Sequence, residues 1–303
     1  MLYFNRCART MKKIINVLVV CFLLLVLLQP FSNATSQAQN IFIVDDEGDG
    51  DYSSISAAIE NSTSGDIIRV YSGSYKEKIE IMHTITLEGI SSEYGLGDDV
   101  GKPILHTTED VGSLVLVEAD YCILTGFQIL PGILGDNDFG NNGIALHSKE
   151  NIVSHCTFNR GNRAILAYVG ADTADCSGNK IHNNTIEGFT TAIHIEGENC
   201  SIKHNEIKNN TFGIHVFDCN NVKVEENNFK TNKIHAFIFW IPYSYNIYYP
   251  RPTNIQFDNN YYDNWPLSLP KPIMRGFAPL LIPITFGLLF DKNPRQDPLQ
   301  FQY

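Results

Sequence analysis

Between residues 179 and 240 the sequence says nearly the same thing three times. Lys180-Ile181-His182-Asn183-Asn184-Thr185-Ile186 leads to Ala192-Ile193-His194-Ile195. Ser201-Ile202-Lys203-His204-Asn205-Glu206-Ile207 leads to Gly213-Ile214-His215-Val216, and Val224-Glu225-Glu226-Asn227-Asn228-Phe229 leads to Ala236-Phe237-Ile238-Phe239. Ile186 to Ile207 is 21 residues and Ile207 to Phe229 is 22; Ile193 to Ile214 is 21 and Ile214 to Phe237 is 23. A fixed period near twenty with strand-like content means stacked repeats, because no single unit can bury its own apolar face. Apolar residues alternate at period two, as in Ile193-x-Ile195, so each unit reads as a short strand, a turn and a second short strand. Helical repeats would space them at i, i+3 and i+4, and leucine-rich repeats would show a Leu ladder. Neither pattern is present.

One further column selects the architecture. Asn184, Asn205, Asn227 and then Asn259 stand two residues before an apolar anchor, the last being Tyr261. Asn stacked on Asn forms amide ladders, and Asn tolerates the left-handed backbone of a tight turn. The expectation is an all-β chain: a single-stranded right-handed parallel β-helix, one coil per repeat, with coils about 4.8 Å apart. Upstream, Cys156 takes the Asn slot before Phe158, Ala164-Ile165 matches Ala192-Ile193, and Gly143-Ile144-Ala145-Leu146 lies 21 residues earlier. Segments 168–178 and 130–142 read as insertions that leave the coil.

The chain has 303 residues, 44% of them hydrophobic, enough for one elongated core. Residues 1–38 stand apart. Arg6, Arg9, Lys12 and Lys13 precede an apolar run at 14–28, then Pro30 and small residues. These zones predict a secretory signal peptide. The run is short of the about 20 residues a spanning helix needs, so no membrane span is expected after its removal. Without its four basic residues, 18 Lys and Arg remain against 33 Asp and Glu, a balance of −15. That excess of acid argues against nucleic acid as a partner. It also argues against acidic polysaccharides unless cations bridge them. Five cysteines remain, at 122, 156, 176, 200 and 219, with no CxxC. A zinc-finger site is therefore not expected. Cys156 reads as a small buried residue, and a disulfide among Cys176, Cys200 and Cys219 stays open.

The stretch after the leader carries a resemblance. Ile41-Phe42-Ile43-Val44-Asp45-Asp46-Glu47-Gly48-Asp49-Gly50-Asp51-Tyr52 is a strand and an acidic Gly turn. Ser54-Ile55-Ser56-Ala57-Ala58-Ile59 follows as a short helix, then Gly65-Asp66-Ile67-Ile68-Arg69-Val70-Tyr71. This opening resembles that of pectin-lyase-like β-helix proteins. The helix, with Ile55, Ala58 and Ile59, would form an N-terminal cap over the apolar end of the first coil. Residues 41 to about 265 are most similar to the periplasmic and archaeal-surface β-helix proteins grouped with the nitrous-oxide-reductase accessory (NosD-like) family. That resemblance implies export and a copper-handling accessory role. The expected domains are a signal peptide at 1–38, the β-helix at 39–265 and a C-terminal extension at 266–303 covering the last coil. The apolar stretch at 277–290 is broken by Pro279, Pro283 and Gly287 and is too short to span a membrane.

Chemistry is sought on the outward columns of the second strand. One column reads Ala145, Leu166, His194, His215, Ile238, and the next reads His147, Tyr168, Glu196, Phe217, Trp240. Asp218 stands close by. One reading is a sugar platform, with Tyr168, Phe217 and Trp240 as stacking rings. A second takes His194, His215, Glu196 and Asp218 as the catalytic set of a polysaccharide lyase or hydrolase. A third makes His194, His215 and Glu196 a copper or zinc site. The plain alternative is a covered sheet face on which the rings only pack. His155, Asn183, His204, Glu226 and Asp258 form a mixed polar column at the turn and read as a solvated edge. Asp45-x-Glu47-x-Asp49-Gly50 partly resembles a calcium loop, but Ser56 stands where the twelfth-position Glu belongs. Asn-x-Ser/Thr triplets occur at Asn61, Asn183, Asn199 and Asn209, acceptors for glycans on an exported protein.

The motifs of known β-helix enzymes are absent: no Asp pair with a downstream Gly-His-Gly, no Arg-bearing lyase motif, no paired Asp and Gln of methylesterases. Arg160 and Arg163 sit in a turn after Phe158. The expectation is an exported surface or secreted protein that binds carbohydrate or a cell-surface polymer, or is structural, without a complete catalytic set. Calcium and copper are the cofactors it could take.

Overall fold

The computed structural model describes residues 39–109, 112–132, 141–168, 175–217, 219–240, 243–244, 247–248, 253–265, 267, 269–277 and 289–301. The expected signal peptide therefore lies outside the described residues. All of the described residues belong to one unit, Gln39–Tyr303. Among the described residues nearly all of the regular structure is strand, and the helix Ile55–Asn61 is short.

Coils carry up to three strands, not the two expected from the repeat, although Thr157–Ala167 and Thr185–Ile195 each run through the second and third as one. In the coil that holds Asn205 they are Ser201–Lys203, Glu206–Lys208 and Phe212–Phe217. The segment read as one strand in each repeat is two, separated by a two-residue corner. Strands pair in parallel with the same strand of the next coil, which builds three ladders. The first runs from Ile41–Val44 through Ile67–Val70, Thr86–Gly89, Ile123–Thr125 and Ile152–Ser154 to Gln256–Asp258. The second begins at Ser74–Lys76 and ends at Tyr261–Tyr262. The third begins at Ile79–Ile81 and reaches Ile234–Trp240 and Lys271–Phe277.

The core is a set of identical columns. Ile165, Ile193 and Ile214 are partners on successive coils, and each is fully buried. So are Ala167, Ile195, Val216 and Ile238. Period-two alternation turns every second residue of these strands to the interior, and a fully buried Ile contributes about 1.5–3 kcal/mol.

Corners decide which polar residues go inside. At the corner between the first and second ladders, His155, Asn183, His204, Glu226 and Asn259 all take φ between 54° and 58°. These are the left-handed positions. The expected column ended on Asp258, but Asp258 pairs with Glu225 in the strand, and Asn259 takes the corner. The ladder residue is the one after the corner. Asn184 donates its backbone N–H to Asn205 Oδ1 at 3.0 Å and its Nδ2 at 3.1 Å. Asn205 repeats this on Asn227 at 2.9 and 3.0 Å, and Asn227 on Asn260 at 2.9 and 3.0 Å. The last ladder asparagine is thus Asn260, before the buried Tyr262, and not Asn259 before Tyr261. The sequence offers Asn-Asn-Tyr-Tyr, which fits a two-residue offset twice; burial of one ring settles the register. Cys156 donates its N–H to Asn184 at 3.0 Å, as its slot implied.

Two more ladders were not foreseen. Asn210 and Asn232 repeat the pattern under Phe189, while under Cys122 Asn151 and Asn179 repeat only its backbone half, Asn151 Nδ2 donating instead to Ser148 Oγ. The main ladder ends on Asp291, whose Oδ2 accepts from Asn260 N, Asn260 Nδ2 and the Tyr262 hydroxyl at 3.1, 2.8 and 3.1 Å. Asp291 lies on strand Leu289–Asp291, antiparallel to Lys271–Phe277.

At the other end, helix Ile55–Asn61 buries Ile55, Ala58 and Ile59, the three apolar residues expected. Its face packs on strands Ile41–Val44, Ile67–Val70 and Ile79–Ile81. The Glu77 carboxylate accepts from the N–H groups of Ile55 and Ser56 and from the Ser54 hydroxyl, satisfying donors that a helix start leaves free. All five cysteines are buried free thiols. Burial raises the Cys176 and Cys200 thiols to about 12, which leaves them inert.

Asn205 is a test of the ladder. Asn205→Ala removes the acceptor for two donors of Asn184 and leaves them buried. The expected cost is about 2–3 kcal/mol, a drop of roughly 5–10 °C in melting temperature, while exposed Gln256→Ala changes stability by under about 0.5 kcal/mol.

Candidate functional site

The third ladder carries the outward columns, and its register revises them. Ala145, Leu166, His194 and His215 are partners as expected, but the next coil supplies Phe237, not Ile238. The following column continues from Phe217 to Phe239, not Trp240. Four successive apolar residues, 236–239, leave the alternation ambiguous, and a bulky Phe was expected inside. The structure instead turns Ala236 and Ile238 inward, where both are buried. Trp240 continues the strand and pairs with Phe277; only its backbone is described. Asp218 lies outside the described residues.

His194 and His215 are neighbours, with ring centroids 4.7 Å apart and edge to face. His194 Nε2 hydrogen-bonds Glu196 Oε1 at 3.0 Å, and the ring stacks on Phe217 at 6.1 Å. His215 is sandwiched between Phe212 at 6.4 Å and Phe237 at 5.6 Å. Phe217 and Phe239 lie 5.4 Å apart. Phe212, Phe237 and Phe239 were missed as members; only the register reveals them. Tyr168 stands one step past Ala167, beside Glu196, and is 42% exposed. Glu196, Phe217 and Phe239 are half-buried. The outermost column is therefore Tyr168, Glu196, Phe217, Phe239, one residue per coil.

The electrostatics divide the two columns. His215 Nε2 is buried without a hydrogen-bond partner. Burial, then His194 and Arg163, push its pKa down to about 3. It is neutral at physiological pH and works as a packing ring. Among the described residues, groups of three or more ligand atoms within 4.8 Å of one another occur among acids of the first coils, and His194, His215 and Glu196 are not among them.

Sequence reasoning also missed a groove on the second ladder. It has a volume of ≈ 470 Å³ and is lined by Ser74, His106, Thr107, Leu130, Asn159 and Arg160 among others. Ser74 Oγ lies 3.1 Å from His106 Nε2. Arg160 had been singled out; Ser74 and His106 are 32 residues apart and gave no signal.

The comparisons with known proteins can be set beside this geometry. Residues 116–262 match the family model for the right-handed β-helix region. The chain folds as a right-handed parallel β-helix. No curated protein matches its sequence. Among solved structures, the carrot pectin methylesterase shares 12% identity, with 80% of this chain and 85% of that one covered and a TM-score of 0.44. Escherichia coli YbhC shares 12% identity over 75% and 74%, with a TM-score of 0.48. The tailspike protein gp49 of Acinetobacter baumannii bacteriophage Fri1, a capsular polysaccharide depolymerase, shares 10% identity over 74% of this chain, with a TM-score of 0.42. This chain covers half of that tailspike's length. Among the described residues no helix of the β-helix protein is long and apolar enough to cross a membrane.

The buried histidines give the fold an acid limit. His215, at about 3, and His235, pushed down by burial to about 4, both sit below the ordinary 6.5. The unfolded chain takes up these protons first as pH falls below about 6.5, so stability is full above that pH and is lost towards pH 3–4. The expected slope is about 1.4 kcal/mol per pH unit for each histidine, and His215→Phe should flatten it in urea titrations run from pH 7 to pH 4.

Proposed function

We propose that this protein is exported and binds a carbohydrate polymer along the outer face of its third ladder. One observation carries the reading: Tyr168, Glu196, Phe217 and Phe239 stand in register on four successive coils and all reach solvent. Coils repeat at about 4.8 Å, so the column offers rings and a carboxylate at regular steps along the axis. An extended glycan needs such a track: apolar faces to stack on and a hydrogen-bonding group for its hydroxyls. His194 holds Glu196 in place. Export rests on the zones of residues 1–38, and it places the protein at the cell surface or in the medium, where such polymers occur.

A polysaccharide-active enzyme is the second reading, and it moves to the groove on the second ladder. A serine hydroxyl bonded to a histidine, beside Arg160, has the nucleophile–base geometry of acyl transfer. The His194, His215 pair serves it less well, since His215 is held neutral and its Nε2 is buried. Copper handling, implied by the NosD-like resemblance, gains no ligand set from the described residues.

The two readings separate in one experiment on a polysaccharide panel, with polymer retention measured by affinity electrophoresis and product release by new reducing ends or freed acid. The binding reading expects retention without release, weakened about tenfold, or about 1.4 kcal/mol, by Tyr168→Ala or Phe217→Ala. Retention untouched by both substitutions sinks it. Release abolished by Ser74→Ala makes the protein an enzyme.

A further inference from the structure

The first coils hold a cluster of acids that neither reading uses. Asp45, Asp46 and Glu47 lie on the turn after strand Ile41–Val44, whereas Glu93 and Asp99 come from the loop at 91–102. Carboxylate oxygens of Asp45, Glu47 and Glu93 all lie within 4.8 Å of one another, and so do those of Asp46, Glu47 and Asp99. Glu47 belongs to both groups, so the two groups adjoin. Among the described residues, no lysine, arginine or histidine forms an ion pair with any of them.

Acidic residues crowd at many protein surfaces, and a crowd alone is no site. Asp45 sets this one apart. Its residue is 0% exposed, and neither carboxylate oxygen has a hydrogen-bond partner. Asp46 Oδ1 is likewise buried and unpartnered, while its Oδ2 accepts from Ser74 N at 2.9 Å. A buried carboxylate without a partner costs several kcal/mol, so the chain keeps it only if something completes it. The surroundings are shaped to present these oxygens. Glu93 is held by the N–H groups of Tyr94 and Asp99 at 2.8 and 2.9 Å. Asp49 fixes the loop to the turn by accepting from Leu96 N at 2.6 Å. A Cβ at Gly73 would overlap the Asp46 carboxylate, and one at Gly97 would meet Glu93 at 2.8 Å. Both positions leave room for acids.

We propose that Asp45, Asp46, Glu47, Glu93 and Asp99 bind a divalent cation of the calcium class. The ligands are all hard oxygens from two loop segments, with no imidazole or thiolate, which suits calcium over zinc or copper. Irregular placement suits calcium over magnesium, which demands near-octahedral geometry and keeps its waters. The linear loop reading from Asp45 to Asp49 is thereby replaced. Asp49 is a loop anchor, and the carboxylates missing from the sequence spacing arrive from residues 93 and 99. The bound ion fastens the 91–102 loop to the first turn and closes the N-terminal end of the β-helix.

The test uses the full chain, stripped with chelator and returned to calcium chloride or magnesium chloride at constant ionic strength. Melting temperature and isothermal titration are read together. Calcium is expected to raise the melting temperature saturably and to bind at discrete stoichiometry, with magnesium at least tenfold weaker. Asp45→Asn should abolish the calcium shift, yet melt no lower than the parent in chelator, because it removes an uncompensated buried charge. Glu47→Gln, at an exposed position, covers the case in which Asp45→Asn does not fold; it should weaken calcium at least tenfold. No saturable shift, equal responses to the two cations, or unchanged affinity in Glu47→Gln with Asp45→Asn unfolded or also unchanged would each overturn the proposal.

Discussion

Among the described residues the coil strands pair in parallel and in register with their counterparts on the next coil, and that single constraint organises the rest. In-register stacking places each residue on its counterpart one repeat away. An apolar column then buries itself without further specification. A polar column must be solved differently, because a buried amide needs partners. Asparagine solves it with its own copy: the Oδ1 of one coil accepts from the Nδ2 and backbone N–H of the previous one. The chain uses this solution in full at two corners and its backbone half at a third. Each ladder needs a terminus, and Asp291 supplies one from a strand outside the repeats.

The outer faces are under no such constraint. Their residues need only tolerate the pleat, so chemistry can vary there at no cost to the core. This explains why the rings of the third ladder and the groove of the second are built from residues that share no motif. It also explains the division within the third ladder. His215 has become part of a packed aromatic layer, while the neighbouring column still reaches solvent. A helix of coils therefore offers a regular track more readily than a deep pocket, and the geometry favours an extended ligand over a small one.

Legibility in the sequence followed the regularity of the period. From Ile144 to Val216 the spacing alone aligned every column, including Cys156 in an asparagine slot. It failed where the local pattern was degenerate. Asn259-Asn260-Tyr261-Tyr262 satisfies the same offset in two registers, and the run from Ala236 to Phe239 has no alternation to read. Both were placed one residue off, which moved Phe237 and Phe239 out of the expected columns and Trp240 into one. The extra strand was hidden because a two-residue corner joins it without any Gly or Pro; His204 and Glu226 hold the left-handed conformation instead. The acids of the first turn were visible, but their partners at 93 and 99 were not, since no spacing rule links a turn to a loop more than forty residues on.

The sequence by itself determined the repeat, the parallel β-helix and the identity of the buried columns, because a periodic chain carries its stacking neighbours at fixed offsets. Tertiary structure alone decided the termination of the Asn ladder on Asp291, the pairing of Ser74 with His106, the packing of His215 among phenylalanines and the meeting of the first-turn acids with Glu93 and Asp99. These depend on segments that break the period, and the distance between their side chains is set by how the coils close in space, not by their separation along the chain.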